Sequence, residues 1–130
     1  HVGTICDSSF PTYLLSYWAR DRERGARLPL ADAVRRLTAD IADYAGLKDR
    51  GRLRPGLKAN INVIDYERLR LFAPRMVQDL PAGGQRLLQE AAGYRAIIVA
   101  GETVVADDQL TGACPGRLVR AGRGALRSAA

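Results

Sequence analysis

Residues 46–65, GLKDRGRLRPGLKANINVID, separate two parts of the chain that differ in hydrophobic period. Apolar residues before Gly46 recur every three or four positions, as in an amphipathic helix, whereas those after Lys58 alternate with polar residues, as in a half-buried strand. Within the stretch, Pro55-Gly56 predicts a type II turn, because proline presets φ at the first central position and glycine accepts a positive φ at the second. Helices followed by antiparallel strands predict an α+β fold.

The first predicted helix covers residues 10–23. Ser8 or Ser9 can cap its start ahead of Pro11, because a serine hydroxyl accepts a hydrogen bond from a free N–H of the first turn. Aromatic residues at helical spacing are more often core residues than ligand contacts, so we expect Trp18 in the core. The apolar stripe of this helix consists of Phe10, Leu14, Tyr17 and Trp18.

A second helix is predicted over residues 30–44. Pro29 suits its first turn, where the missing N–H is not needed, and Asp32 suits the positive end of the helix dipole. Gly46 can supply the left-handed residue that ends the helix. The apolar stripe consists of Leu30, Val34, Leu37, Ile41 and Tyr44.

Strands are predicted after the turn. Residues 59–65 alternate, so we expect Ile61 and Val63 on a buried face and the asparagines between them on a wet face. Residues 72–78 are predicted as a connection, and the glycine-containing turn that follows leads into a strand over residues 85–89.

The clearest predicted hairpin joins residues 94–99 to residues 103–106. Gly101-Glu102 lies between these two apolar runs. Glycine at the first central position is what a type II′ turn requires, so we expect a two-residue loop of that type.

The net charge of the chain is +6 and its pI is about 9.9. Arginines are interspersed with aspartates through the first half, and no zinc-finger spacing or aromatic RNA-binding motif occurs, so we expect no nucleic-acid partner. No run approaches the roughly 20 apolar residues of a membrane span, and a signal-peptide pattern is absent from the opening residues. We therefore expect no membrane contact and a cytoplasmic location.

Cys6 and Cys114 are the only cysteines, and His1 is the only histidine. Two distant cysteines without a CxxC pair favour a reducing compartment over a disulfide framework. These ligand types are too few for a complete zinc site, so we expect no metal bound by this chain itself. A first residue other than methionine also suggests a truncated or processed chain.

A series of short motifs follows the second helix in a definite order. They are GLKDRG at residues 46–51, Pro55-Gly56, KAN at 58–60, DLPAGG at 79–84, Gly93-Tyr94, the apolar residues 97–101, Thr111-Gly112 and Pro115-Gly116-Arg117. The series resembles the C-terminal part of metal-dependent amidohydrolases, in which the last helix of a (β/α)₈ TIM barrel is followed by such turns and by strands of a small β-sandwich. More specifically, about residues 1–120 look like the D-aminoacylase (N-acyl-D-amino-acid deacylase) branch.

Two residues depart from the pattern of that branch. Asn60 stands where aspartate usually precedes the strand, and this removes a charge whose role we expect to be local rather than catalytic. Asp108 stands where a turn glycine is common, and aspartate tolerates left-handed turns, so we expect structural tolerance there.

The resemblance implies zinc-assisted amide hydrolysis in the full-length enzyme. Zinc would lower the pKa of the attacking water and polarise the acyl carbonyl, and an aspartate would act as base and then as acid. That aspartate belongs to a Ser-Asp-Gly-type sequence at the end of the last barrel strand, and His1 resembles a residue just after it. The aspartate and the His-x-His ligands of earlier strands are absent from this chain.

His1 is therefore the one candidate catalytic residue. It could donate a hydrogen bond to a substrate carboxylate or support the aspartate, and an N-terminal histidine without a role is the alternative. Cys6, Asp7 and Ser8 share its loop, and we expect capping or packing roles for them.

Three parts are predicted: residues 1–58 from the end of the barrel, residues 59–120 from the β-sandwich, and a flexible basic tail at 121–130. The implied function is that of a C-terminal fragment of a hydrolase for N-acyl (D-)amino acids, inactive alone because a barrel needs about 250 residues. Its partner would be the missing N-terminal barrel portion, and free strand edges predict a homo-oligomer. The alternative is a freestanding basic binding or oligomerisation module without catalytic activity.

Overall fold

The computed structural model describes residues 9–119, which form helices up to residue 44 and antiparallel strands from residue 61 onward. This order confirms the predicted α+β class. No helix in this part of the chain has the length and apolar character needed to cross a membrane. The helical segments are α1 (Phe10–Tyr13, continued by the π-helical Leu14–Asp21), α2 (Leu30–Leu37) and α3 (Ala39–Tyr44).

Three antiparallel sheets follow the helices. The largest has four strands in the order β1-β6-β7-β8, and the other two pair β2 with β5 and β3 with β4. The strands are β1 (Ile61–Ile64), β2 (Arg70–Leu71), β3 (Arg75–Leu80), β4 (Gly84–Leu88), β5 (Ala91–Ala92), β6 (Tyr94–Val99), β7 (Glu102–Ala106) and β8 (Gln109–Leu110). The predicted division at residue 58 falls between α3 and β1 and stays a prediction.

The first helix has its predicted position, but most of it has π-helical hydrogen bonding. The Arg22 N–H donates to the Tyr17 carbonyl five residues earlier at 2.8 Å, which is the π-helical pattern. Ser9 is the N-cap residue, but its side chain makes no capping hydrogen bond. The core prediction for Trp18 is wrong, because its side chain is 36% exposed and the Arg22 guanidinium lies 4.4 Å above the ring. Phe10 is exposed as well.

The second predicted helix is divided into α2 and α3 at Thr38. This residue has φ −128° and ψ −84°, outside the helical region, and its hydroxyl donates to the Val34 carbonyl at 2.7 Å. Such a bond to the preceding turn competes with the backbone ladder and bends helices. Pro29 is the N-cap of α2 rather than a first-turn residue, whereas Asp32 lies in the first turn as predicted.

The end of α3 matches the prediction. Gly46 has φ 70°, and its N–H donates to the Asp43 carbonyl at 3.1 Å. The Leu47 N–H donates to the Ala42 carbonyl at 2.8 Å. These two bonds are those of a Schellman motif, so local chemistry alone ends the helix.

The predicted turn at Pro55-Gly56 is also confirmed. Gly56 has φ 86°, and the Leu57 N–H donates to the Arg54 carbonyl at 3.2 Å. This turn redirects the chain from the helices toward β1.

The exposure of β1 differs from the predicted alternation. Its register against β6 shifts between Val63 and Ile64, which is a β-bulge. As a result Val63 is 47% exposed, contrary to prediction, and Ile64 packs against the core instead. Ile61 is half-buried and Asn62 is exposed, as predicted.

The hairpin of β6 and β7 exists, but its loop lies one residue earlier than predicted. Val99 pairs with Glu102, so the loop is Ala100-Gly101 rather than Gly101-Glu102. Both loop residues have positive φ, 52° and 88°. Type I′ turns require this pattern, which corrects the predicted type II′.

Residues 72–78, predicted as a connection, contain most of β3. This strand pairs with β4, close to the predicted strand at 85–89, through a tight turn at Pro81–Gly83. The Arg86 guanidinium holds Asp79 across the pair with two bonds of 2.7 and 2.6 Å. Cross-strand pairing therefore overrides a weak local pattern.

The core is small. Leu15, Ala33 and Leu69 form its buried cluster, and Gly93 lies so close to Leu69 that an added Cβ would be 2.7 Å from the Leu69 Cα. Among residues 9–119, fifteen large hydrophobic side chains are exposed and only four hydrophobic residues are buried.

Candidate functional site

The catalytic candidate His1 lies outside the described residues, as do its loop neighbours Cys6, Asp7 and Ser8. The roles predicted for them stay predictions. The basic tail at 121–130 also lies outside the described part.

Residues 9–119 contain no group of three or more histidine, cysteine, aspartate or glutamate side chains that could hold a metal ion. Cys114 is an exposed free thiol. The donor set of the described chain therefore does not fit zinc.

Asn60 and Asp108, which depart from the expected motifs, both bind backbone groups. The Asn60 side-chain oxygen accepts from the Ala100 N–H at 2.9 Å. The Asp108 carboxylate accepts from the Gly93 N–H at 3.1 Å and the Tyr94 N–H at 2.7 Å, with Asp108 at φ 64°. Asn60 thus holds the β6–β7 loop and Asp108 holds the start of β6, which are structural roles.

A groove of about 800 Å³ lies between the helices and β1. We call it the β1 groove. One wall is α1 and α2, and the other is the loop at residues 51–60 together with β1. Its apolar lining includes Leu15, Val34, Leu37, Leu53, Leu57 and Ile61. The volume is typical of clefts that hold a ligand or a segment of another molecule.

Four hydrogen bonds join the first helix to β6 and to the segment between β1 and β2, and they position the two sides of the groove. Thr12 Oγ1 and the Tyr94 hydroxyl are 2.7 Å apart. The Tyr66 hydroxyl donates to the Leu15 carbonyl at 3.2 Å, and burial raises the pKa of this phenol. The Arg20 guanidinium donates to the Leu69 carbonyl at 2.8 Å and also to the Tyr66 carbonyl. The groove is thus built on an anchored scaffold rather than on a single loop.

The outer edge of β1 borders the groove. Residues 59 and 60, which precede the strand, and Ile61, Asn62 and Ile64 of β1 line it. β1 ends its sheet, with no strand beside it among residues 9–119.

All the charged residues that line the groove are cations: Arg52, Arg54 and Lys58. Arg52 holds Asp43 with bonds of 2.8 and 2.6 Å, and Lys58 lies 3.6 Å from Asp49. The Arg54 guanidinium forms no ion pair with any residue from 9 to 119. The groove therefore offers one unpaired cation above an apolar floor.

Asp49, just outside the groove, is held ionised by its neighbours. The Arg50 guanidinium donates to its carboxylate at 2.8 Å, and this bond, with the charges of Arg50 and Lys58, lowers the pKa of Asp49 to about 2. The loop that carries the groove cations is thus bound to a permanent negative charge at neutral pH.

Sequence reasoning did not find this groove. Its lining comes from residues 11–15, 34–38, 51–64 and Tyr94, which are distant in sequence. The sequence predicts the turn at Pro55-Gly56. The position of the neighbouring Arg52 and Arg54 beside β1 follows only from the fold.

Comparison with known proteins gives one match. The family model described as the amidohydrolase family matches residues 1–105. A search of curated proteins and a search of solved structures each found no match.

Proposed function

The chain belongs to the amidohydrolase family, and from that premise we propose that it is the C-terminal part of a metal-dependent hydrolase that cleaves the amide bond of N-acyl-D-amino acids. The match over residues 1–105 carries the hydrolase assignment. The finer assignment, to the D-aminoacylase type, rests on the ordered motifs such as DLPAGG at 79–84 and Thr111-Gly112. A freestanding basic binding module is not favoured, because the match covers most of the chain.

We propose that the chain works together with an N-terminal barrel portion of the same enzyme. The support is the quantity of apolar surface that the described residues leave exposed, including Tyr44, Leu53 and Leu110. Full burial of such a side chain against a partner stabilises the complex by about 1.5–3 kcal/mol. A second copy of the chain is a further proposed partner, because free strand edges recruit other strands.

Zinc in this proposal is bound by the barrel portion and not by residues 9–119, whose donor set does not fit it. No zinc-dependent step is therefore assigned to residues 9–119. His1 is proposed to donate a hydrogen bond to the substrate carboxylate or to the catalytic aspartate. A cytoplasmic location is proposed from the low number and wide sequence separation of the cysteines Cys6 and Cys114 alone.

The test compares two proteins with the same substrates. One is this chain, and the other is the product of the open reading frame extended upstream of the His1 codon. Both are assayed with added Zn²⁺ for hydrolysis of N-acetyl-D-amino acids and N-acetyl-L-amino acids. We expect turnover of the D-substrates by the extended protein only.

Three results would contradict the proposal. Enzyme-like turnover by the isolated chain would show that the site lies within these 130 residues. Turnover of L-substrates alone by the extended protein would remove the D-aminoacylase assignment. A start codon immediately upstream, with no His-x-His in frame, would contradict the proposal that the chain is the C-terminal part of a larger hydrolase.

A further inference from the structure

We propose that two copies of the chain associate through β3 (Arg75–Leu80), which pairs antiparallel with the β3 of the second copy about a two-fold axis at Val77. This inference rests on the proposed function, which includes a second copy as a partner, and it identifies the strand that this copy contacts. No strand lies beside the outer edge of β3 among residues 9–119.

The first support is the isolation of the β3–β4 hairpin. Its two strands form a sheet of their own, and within the described chain they pack chiefly against each other. A two-stranded hairpin is marginally stable in water, whereas three or more strands with an apolar face can be stable. Pairing of two β3 strands gives one sheet of four strands in the order β4-β3-β3-β4. Each hairpin thereby gains the neighbours that a stable sheet needs.

The second support is the charge pattern of β3, which is complementary to itself. Arg75 and Asp79 lie two residues on either side of Val77. Side chains two apart share a face of a strand, and the Asp79 carboxylate is held by Arg86, the residue that pairs with Val77. Antiparallel pairing about Val77 therefore places each Arg75 opposite the Asp79 of the other copy. Opposite charges in facing positions stabilise a strand pair.

The ion pairs within each hairpin extend this pattern. Arg86 donates to Asp79 at 2.7 and 2.6 Å, and Arg75 donates to Glu90 at 3.1 Å. The side chains of Arg75 and Asp79 nevertheless remain 57% and 45% exposed. A carboxylate has about four acceptor sites and a guanidinium about five N–H donors, so each can bind a second partner. Across the dimer the charges of Arg86, Asp79, Arg75 and Glu90 follow one another with alternating sign.

Charge also distinguishes β3 from other strand edges. Residues 75–90 contain two arginines and two acidic residues and so carry no net charge, although the whole chain carries +6. A second copy can therefore approach this hairpin without the repulsion that it meets at a basic surface. The same pairing of β4 about its central Arg86 would set two arginines opposite each other, and facing like charges destabilise a sheet.

The first experiment measures sedimentation velocity of two charge-reversed variants, Arg75→Asp and Asp79→Arg. In a dimer of either variant alone like charges face each other, so we expect dimerisation to be at least about tenfold weaker than in the wild type. In an equimolar mixture every facing pair again combines opposite charges. The mixed dimer should therefore form with about the wild-type affinity, a recovery that misfolding of either variant could not produce.

Arg117→Asp is the matched control for this experiment, because Arg117 is exposed and lies outside the hairpin. We expect it to associate as the wild type does. Three results overturn the proposal: a wild-type chain that is monomeric at high concentration, wild-type association of either reversed variant alone, and absence of the mixed dimer.

The second experiment locates the two-fold axis with a disulfide. In a Cys6→Ser, Cys114→Ser background, Val77→Cys places two thiols in facing positions. Facing residues of antiparallel strands have Cα atoms about 4.5–5.5 Å apart, which a disulfide can span. On mild oxidation we expect a covalent dimer of Val77→Cys and little of Leu110→Cys, whose site is exposed on the edge strand β8. Equal yields, or crosslinking of Leu110→Cys alone, overturn pairing through β3.

The third measurement distinguishes a second copy from the N-terminal barrel portion as the partner of the hairpin. Both experiments are repeated with the extended protein that is assayed for hydrolysis. The mixed dimer should form whether or not that protein hydrolyses N-acetyl-D-amino acids, so failure of the hydrolase proposal leaves this result interpretable. An extended protein in which Val77→Cys forms no covalent dimer assigns the hairpin to the barrel portion and overturns the proposal.

Discussion

The hydroxyl of Tyr94 on β6 lies 2.7 Å from Thr12 Oγ1 on α1 and so joins the sheet to the first helix across 82 positions of sequence. Tyr94→Phe removes this bond while keeping the ring, and leaves the buried Thr12 hydroxyl without its partner. We expect a loss of about 1 kcal/mol in the free energy of unfolding, measured by urea titration with circular dichroism. Tyr44→Phe is the control, because Tyr44 is 96% exposed, and an equal loss in both variants would refute the role of the bond.

Gly93→Ala should be among the most destabilising single substitutions. Gly93 has φ 108°, and an added Cβ would lie 2.7 Å from the Cα and 2.8 Å from the N of Leu69, which are backbone atoms that cannot move aside cheaply. We expect a loss of more than about 3 kcal/mol. Gly46→Ala, with φ 70° and no atom within 4 Å of the added Cβ, should cost about 1–2 kcal/mol. Comparable midpoints of thermal unfolding for the two variants would contradict the close approach.

Leu69→Ala tests the size of the core. Leu69 is the largest fully buried side chain, with 0% exposure, whereas Leu53 is 84% exposed. The first substitution should cost about 2–5 kcal/mol and Leu53→Ala less than about 0.5 kcal/mol, both from denaturant unfolding. If Leu69→Ala unfolded at the wild-type midpoint, the cluster around it would not be the centre of the fold.

The Asp49–Arg50 pair predicts a pH effect below neutrality. The pKa of Asp49 is lowered from 3.8 to about 2 by the hydrogen bond from Arg50. A carboxylate with a lowered pKa in the folded state contributes stability above the unfolded pKa and loses it as the pH falls from 3.8 toward 2. We expect a carboxyl titration midpoint near 2 for Asp49 by ¹³C resonance. Arg50→Gln should raise this midpoint toward 3.8, while Arg36→Gln should leave it in place. An unchanged midpoint in Arg50→Gln would show that another group holds Asp49 ionised.

Local chemistry explains which parts of the fold the sequence predicts. The left-handed Gly46 that ends α3 and the turn at Pro55-Gly56 depend on residues within five positions of each other, so their signals are complete in the sequence. The α+β order follows in the same way from the change of period after Lys58.

The sequence-based predictions are wrong where a contact distant in sequence, or a competing side-chain hydrogen bond, determines the local structure. Val63 is exposed because a bulge against β6 changes the register, and β3 forms because β4 pairs with it. The break at Thr38 comes from a side-chain bond to Val34 that competes with the helix. The bulge, the strand pairing and the Thr38 bond leave no mark in the spacing of hydrophobic residues along the sequence.

The same distinction between local signals and distant contacts applies to the functional assignments. The family could be predicted from ordered motifs, and residues 1–105 match its model. The β1 groove could not, because its walls come from separate segments whose meeting depends on Arg20, Tyr66 and Tyr94.

The π-helical pitch of Leu14–Asp21 makes the number of residues in this segment as important as their identity. Arg20 reaches the carbonyls of Tyr66 and Leu69 from one angular position on the helix. Adding or removing one residue before it turns the following side chains around the axis and carries Arg20 away from these carbonyls. During divergence, α1 should therefore accept exchanges of side chains while its length stays constant, and gaps in related sequences should fall in the loop before α2 instead.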